Sequence, residues 1–224
     1  MILDFFRKGD KAMDQIDARV STMINDARHS FDLATAAVLS GASPEQMRDE
    51  VEKTDLRINE AEQQLRQELV VHVAVQGSSD IGTVLGLTLL IKKIERIGDQ
   101  AKNILDLTDE GVTLVDAPDI DGFLADRTVI SDMFAEAANL LADPQDDKVA
   151  DFRARADTMR HHCEDKVREY MHSDDPGHYA VPRAILYRYW KRIAANLLGV
   201  VTTAVEPVQN IDYVDGGATD ITDD

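Results

Sequence analysis

Leu90-Ile91-Lys92-Lys93-Ile94-Glu95-Arg96-Ile97-Gly98-Asp99-Gln100-Ala101-Lys102-Asn103-Ile104 is the stretch whose reading decides the fold. In and around it, Val84, Leu87, Ile91, Ile94, Gly98, Ala101 and Leu105 recur at three- and four-residue steps. That is the period of an α-helix with one buried face. Glu95, Asp99 and Asn103 follow one another at i+4, so they stack on one side of that helix, a turn apart. With Ile91 at zero and about 100° per residue, Glu95 falls near ~40° and Asp99 near ~80°. The two carboxylates therefore line the border of a buried seam, where their charge calls for a partner. A metal ion is one such partner; an Arg or Lys side chain is the other.

Working outward, the chain reads as six helices of this kind. The first is predicted from Asp10, as N-cap, to Leu39, with Met13, Ile16, Val20, Met23, Ala27, Phe31, Ala34 and Val38 on its apolar face. The second opens at Ser43-Pro44-Glu45-Gln46, a cap with proline at N1 and glutamine at N3, and breaks at Gln76-Gly77-Ser78-Ser79. The third runs from Asp80 to Leu107. A fourth is predicted over Asp121 to Ala142. A fifth opens at Asp143-Pro144-Gln145-Asp146 and ends before Ser173-Asp174-Asp175-Pro176-Gly177. A sixth spans Tyr179 to Val205. Pro44 recurs as Pro144, Asp55 as Asp157, and Arg96-Ile97 as Arg192-Ile193. The plan is three helices written twice. The fold expected is all-α: two tandem antiparallel three-helix bundles related by an internal pseudo-two-fold. The units are placed at 1–112 and 113–209, followed by an acidic tail at 210–224 too polar to pack.

Composition bounds the function. The 224 residues carry 42 Asp and Glu against 24 Lys and Arg, a net charge of -18. Of the acids 30 are Asp, and of the bases only 9 are Lys. An Asp-rich, Lys-poor surface suits molar salt, where the Debye length shrinks to about 3 Å and self-repulsion costs little. It points to a halophile, and predicts stability that rises with KCl. It also excludes a nucleic-acid binder, since there is no basic stripe. The one cysteine, Cys163, rules out an internal disulfide and fits a reducing compartment. No run approaches the roughly 18 apolar residues of a membrane span. Met1-Ile2-Leu3-Asp4-Phe5-Phe6-Arg7-Lys8 has its charges on the wrong side of its apolar residues for a secretory signal. A cytoplasmic location is expected.

Glu95-Arg96-Ile97-Gly98-Asp99-Gln100-Ala101-Lys102-Asn103-Ile104 resembles the signature of the PhoU family, and Asp55-Leu56-Arg57-Ile58-Asn59 resembles the landmark on that family's middle helix. The resemblance extends over about residues 10 to 206. It implies a regulator of phosphate uptake and signalling, not an enzyme. Its expected partners are a phosphate transporter subunit (an ABC ATPase or a sodium-phosphate symporter) or a sensor kinase, and the chain itself as a homodimer. With the charge, it points to a halophilic archaeal member whose second repeat is degenerate. The family's paired acidic motifs are associated with metal clusters. Carried over, this names Asp55, Asn59, Glu95 and Asp99 as metal ligands. Oxygen donors suit Mg²⁺, Mn²⁺, Ca²⁺ or iron better than thiolate-loving metals; among Mg, Mn, Fe and Zn the identity is open. Salt bridges from those acids to Arg96, Arg57 or Lys92 are the competing reading.

The second copy departs from this pattern. Aligned on Arg192-Ile193, it has Lys191 in place of Glu95, Ala195 in place of Asp99 and Gly199 in place of Asn103. The fifth helix keeps Asp157 but places His161 where Asn59 stands. Two other clusters carry less. His161-His162-Cys163-Glu164 cannot converge on one ion, because helical neighbours point about 100° apart. Glu169-Tyr170-Met171-His172 has the spacing of di-iron bundles but lacks the further carboxylates those need. No Gly-rich phosphate loop or catalytic triad pattern occurs. Trp190 aligns with Ile94 and is expected in the core, whereas Tyr187 and Tyr189 are expected on other faces as anchors for a partner. A metal-free helical scaffold or adaptor, no longer tied to phosphate, is the alternative function.

Overall fold

The computed structural model describes residues 11–77 and 81–206. Among the described residues there are six helices and no strand. They are α1 (Lys11–Leu39), α2 (Pro44–Gln76), α3 (Ile81–Asp106), α4 (Ile120–Ala142), α5 (Asp146–Met171) and α6 (Gly177–Val205). The N-cap expected at Asp10, the Ser78-Ser79 break and the tail at 210–224 lie outside the described residues.

Ion pairs fix the helix directions. Arg19 meets Glu68 at 2.6 Å and Arg57 meets Asp26 at 2.9 Å, so α1 and α2 run antiparallel. Arg48 meets Asp106 at 3.1 Å and Lys102 meets Asp55 at 3.6 Å, which makes α2 and α3 antiparallel as well. In the second bundle Arg155 pairs with Glu136 between α4 and α5, and Lys191 with Glu164 at 2.6 Å between α5 and α6. Each set of three closes around its own apolar seam. Ile24, Ala27, Phe31, Ile58, Leu65, Ile91, Ile94 and Ile104 are buried in the first. Phe123, Phe134, Phe152, Cys163, Trp190 and Leu197 are buried in the second.

The two bundles pack through α3 and α6 and through α1 and α4. The Phe31 and Phe134 rings lie 5.5 Å apart, and Arg28 donates to Ser131 Oγ at 3.2 Å. On the other interface the Lys93 side chain lies over Gly199, where a Cβ would stand 2.7 Å from Lys93 Cδ. The atoms met are the end of a flexible side chain, so a small side chain at 199 would need only a shift of Lys93.

The start of α5 corrects one expectation. Gln145 is its N-cap and has extended φ/ψ of -120° and 126°, so Pro144 lies outside the helix instead of at N1. Asp143, before the proline, is extended at φ -144° as well, the conformation that proline imposes on its predecessor. Pro44 does occupy the first helical position of α2, so the two prolines are not structural equivalents. Ser43 gives α2 no side-chain cap bond. Two residues more than expected open α6, and Pro182 sits inside it at the sixth helical position, where it withholds the N–H that would bond the His178 carbonyl.

Candidate functional site

The four residues singled out from the sequence share the groove between α2 and α3. Gly98 is what lets these helices close: a Cβ there would stand 3.2 Å from Ile58 Cδ1 and 3.8 Å from Asp55 Oδ1. The groove floor is Ile58 against the Gly98 backbone, and its walls carry the acids. Asp55 accepts from Asn59 Nδ2 at 3.3 Å, one turn along α2. Glu95 is 9% exposed, on the seam border as its angle predicts. Asp99 stands at the groove mouth and is exposed. Even so, the protein around it desolvates its carboxyl, and the charges of Glu95 and Asp55 repel it. These effects hold its pKa above the ordinary value, against the pull of Lys92 and Lys102. The three carboxylates therefore feel one another.

Four further residues complete the site. Glu62 is 7% exposed and faces the same groove, one and two turns beyond Asn59 and Asp55. Its spacing from them, i+3 and i+7, puts it on their helix face and is the signal that could have found it. Lys92 lies between the two buried acids, 2.6 Å from Glu95 Oε2 and 3.8 Å from Glu62 Oε1. Lys102 reaches Asp55 at 3.6 Å. Arg66 adds a pair with Glu62 at 2.6 Å. Lys92 neutralises Glu95 without a well-directed bond: neither Glu95 Oε2 nor Glu62 Oε1 has a hydrogen-bond partner.

Both readings of the acid motif thus meet in one groove. The donor chemistry, carboxylate oxygens of Asp55, Glu62, Glu95 and Asp99 against the three cations Lys92, Lys102 and Arg66, suits a hard cation. The arrangement does not yet suit one. Among the described residues no three His, Cys, Asp or Glu side chains are gathered to hold a metal ion, and Lys92 and Lys102 stand against the carboxylates.

The equivalent groove of the second bundle is an ordinary ion-pair network. Lys191 meets Glu164 at 2.6 Å, in the place where Glu95 approaches Glu62. Arg168 pairs with Glu164 just as Arg66 pairs with Glu62, both at i+4. Asp157 is held by Arg160 at 2.8 Å and His161 at 3.4 Å on its own helix. His161 and His162 point apart as expected: the ring of His162 meets Asp126 of α4 at 2.8 Å.

One expectation here is overturned. Tyr187 does not offer itself to a partner. It is 2% exposed, donates to Asp126 Oδ2 at 2.8 Å, and packs between Phe123 and Trp190. Position 187 is equivalent to Ile91 and belongs to the seam, and Asp126 takes up the hydroxyl. Trp190 is in the core as expected. A second buried polar contact was not legible in sequence. Arg183, 4% exposed, donates to Asp119 at 3.0 and 3.1 Å and to the Tyr179 carbonyl at 3.0 Å. Asp119 also accepts from Tyr170 at 2.9 Å. Burial opposes its charge, yet the bonds from Arg183 and Tyr170 outweigh this and hold its carboxyl below the usual range.

With this geometry in place, comparison with known proteins separates the halves again. Residues 20–108 match the PhoU domain. The match therefore begins within α1, takes in α2, α3 and the acid groove, and stops before α4. The solved structure described as PhoU from Pseudomonas aeruginosa is similar over the whole architecture. It has a TM-score of 0.74 and 17% identity, and the match covers 87% of this chain and 95% of that one. At that identity the likeness is one of fold, and it extends over both bundles. No curated protein matches the chain in sequence. Among the described residues no helix is long and apolar enough to cross a membrane.

Proposed function

We propose that this chain is a non-enzymatic regulator of phosphate uptake or phosphate signalling, acting by docking its helical surface on a phosphate transporter subunit or a sensor kinase. The observation that carries the reading is the PhoU-domain match over residues 20–108, which falls on the half holding the acid motif. A partner ABC ATPase, a sodium-phosphate symporter and a kinase all fit this reading. A homodimer would carry two copies of the docking surface. In the same reading a divalent cation is held by Asp55, Glu95 and Asp99 with Asn59. It supplies charge neutralisation between α2 and α3, in competition with the ammonium groups of Lys92 and Lys102. Such a site responds to cation concentration instead of holding its ion permanently.

The test is deletion of the gene followed by measurement of phosphate uptake across external phosphate concentrations. Uptake that no longer falls when phosphate is plentiful is the expected result. Unchanged uptake, with no transporter or kinase subunit co-purifying with the tagged chain, favours the metal-free adaptor unconnected to phosphate.

A further inference from the structure

α6 contains no Asp or Glu in its 29 residues, although the chain holds 42 of them. α3 contains three, Glu95, Asp99 and Asp106. Against these the two helices set eight Lys and Arg, so the pair that joins the bundles is basic in a molecule of net charge -18. Its arginines are also unlike the others. Among the described residues eleven arginines meet an Asp or Glu. Arg96, Arg188 and Arg192 meet none, and all three are exposed. With acids in such excess, three arginines are not left unpaired for want of carboxylates.

The fold puts the three on one face. Arg28 with Ser131 and Asp32 with Arg127 set α4 antiparallel to α1. The ion pairs within each bundle make α3 run with α1 and α6 with α4, so α3 and α6 are antiparallel. Lys93 lies over Gly199. A turn forward along α3 is therefore a turn back along α6, which brings Arg96 level with Asn196 and Gln100 level with Arg192. Arg192 stands seven residues before Gly199, on the same line of α6, and Arg188 one turn further back. Arg96 stands three residues after Lys93, on the neighbouring line of α3. Along the seam Arg96 and Arg192 are four residues apart, about 6 Å. Tyr189, part-buried, lies beside them. Asp99, the nearest acid on α3, stands at the mouth of the α2 groove.

We propose that this arginine face of α3 and α6 is where the chain docks, and that it receives an acidic α-helix of the partner protein, one with Asp or Glu at i and i+4. The inference rests on the docking function proposed above and names its surface and the chemistry that fits it. Charge complementarity selects the occupant. Carboxylates at i and i+4 stand about 6 Å apart along a helix, the same rise that separates Arg96 from Arg192. A guanidinium takes a carboxylate through two parallel hydrogen bonds, which fixes register as well as attraction. Arg and Tyr are the residue types that dominate interface energies. A polyanion such as a nucleic acid is repelled by the net charge of the whole molecule, whereas one acidic helix touches only the basic strip.

The experiment measures binding of the purified full chain to the ABC ATPase subunit, the sodium-phosphate symporter and the phosphate sensor kinase of the same organism. The parent should bind one of them. Arg96→Glu with Arg192→Glu should weaken that binding roughly a hundredfold or more. Both side chains are in water, so its helical circular dichroism and melting temperature should match the parent's. Lys53→Glu with Lys148→Glu makes the same change of charge at exposed positions of α2 and α5, and should bind within about threefold of the parent. Replacing the partner's facing pair of acids by Lys should restore binding to the arginine variant and abolish it for the parent. An arginine variant that binds like the parent overturns the proposal and leaves the docking function standing. A lysine variant that loses as much as the arginine variant also overturns it, because net charge alone then governs binding. A parent that binds none of the three overturns the docking function and this surface together.

Discussion

The two bundles share a register and differ along its border. Nine buried positions of α3 recur in α6 at an offset of 96: Leu87 and Arg183, Leu90 and Leu186, Ile91 and Tyr187, Ile94 and Trp190, Ile97 and Ile193, Gly98 and Ala194, Ala101 and Leu197, Ile104 and Val200, Leu105 and Val201. Seven of the nine are apolar in both copies, which is enough to specify the same helix in the same orientation. Beside this stripe the chemistry changes. The first copy sets Glu95 against Glu62 with Lys92 between them; the second sets Lys191 directly on Glu164. One groove has acids to spare and the other is balanced. Apolar register carries the fold and tolerates a rewritten border, so a functional site is to be sought where the border has not been reduced to simple pairs.

The sharpest test of this contrast is the core position filled by Leu87 in one copy and Arg183 in the other. Arg183 is buried, and its removal leaves Asp119 and Tyr170 without their common partner. Arg183→Ala is expected to cost about 3 kcal/mol, the lower end for a broken buried pair because Asp119 is partly exposed. The melting temperature should fall by roughly 6–12 °C. The pair also has an acid signature. Asp119 is held below its unfolded pKa, so its contribution is complete above that value, near ~3.9, and is lost as pH falls through the folded value. The parent should therefore lose part of its stability below about pH 4, and the variant should lose less over the same range. Melts across that range check both statements.

Next in size is the lysine that neutralises the first groove. Lys92→Met leaves Glu62 and Glu95, each at most 9% exposed, facing one another. A loss of about 2 kcal/mol is expected from two buried carboxylates with Arg66 as their remaining counter-charge. Millimolar Mg²⁺ or Mn²⁺ should restore part of it, since the cation replaces the missing ammonium. Lys191→Met leaves Glu164 partly exposed and still paired with Arg168, so its cost should stay under about 1 kcal/mol, with no rescue by metal. In calorimetric titration Glu95→Ala with Asp99→Ala should abolish binding, and Asp157→Ala should leave it in place. Equal rescue of the two lysine variants would break the asymmetry.

Much of this was legible in the sequence because periodicity is a property of the chain. The apolar stripes fixed six helices and their buried faces to within a residue or two. The border position of Glu95 followed from its angle alone. What could not be read was which polar groups meet across helices. Lys92 on Glu95 was among the pairs the sequence offered, being on the same helix, but only the antiparallel pairing of α2 with α3 brings Glu62 to Lys92 and Lys102 to Asp55. Tyr187 was misjudged for the same reason. Its hydroxyl is acceptable in the core because Asp126 arrives from α4, and nothing near position 187 in the sequence announces that. Pro144 misled because a cap motif is local, whereas the start of α5 depends on where the preceding loop lets the chain turn.

The smallest effect bears on the same comparison and has a sign that discriminates. Asp99 stands among Glu95 and Asp55, and its charge is resisted by the protein around it; the second copy has Ala195 there and nothing to resist. At neutral pH and without divalent cations, Asp99→Asn removes a repelled charge and keeps the shape. Stability should rise by a few tenths of a kcal/mol, within the usual range for an exposed position. Ala195→Asp places a carboxylate one turn from Lys191 in a groove that is already balanced, and should change stability by less than about 0.5 kcal/mol. Saturating Mg²⁺ should reverse the first sign, because the asparagine then removes a ligand from an occupied groove and the parent becomes the more stable of the two. If Asp99→Asn remains the more stable protein at every Mg²⁺ concentration, Lys92, Lys102 and Arg66 serve as the groove's counter-ions without a metal. The first bundle's acids are then an unrelieved repulsion, not a cation site.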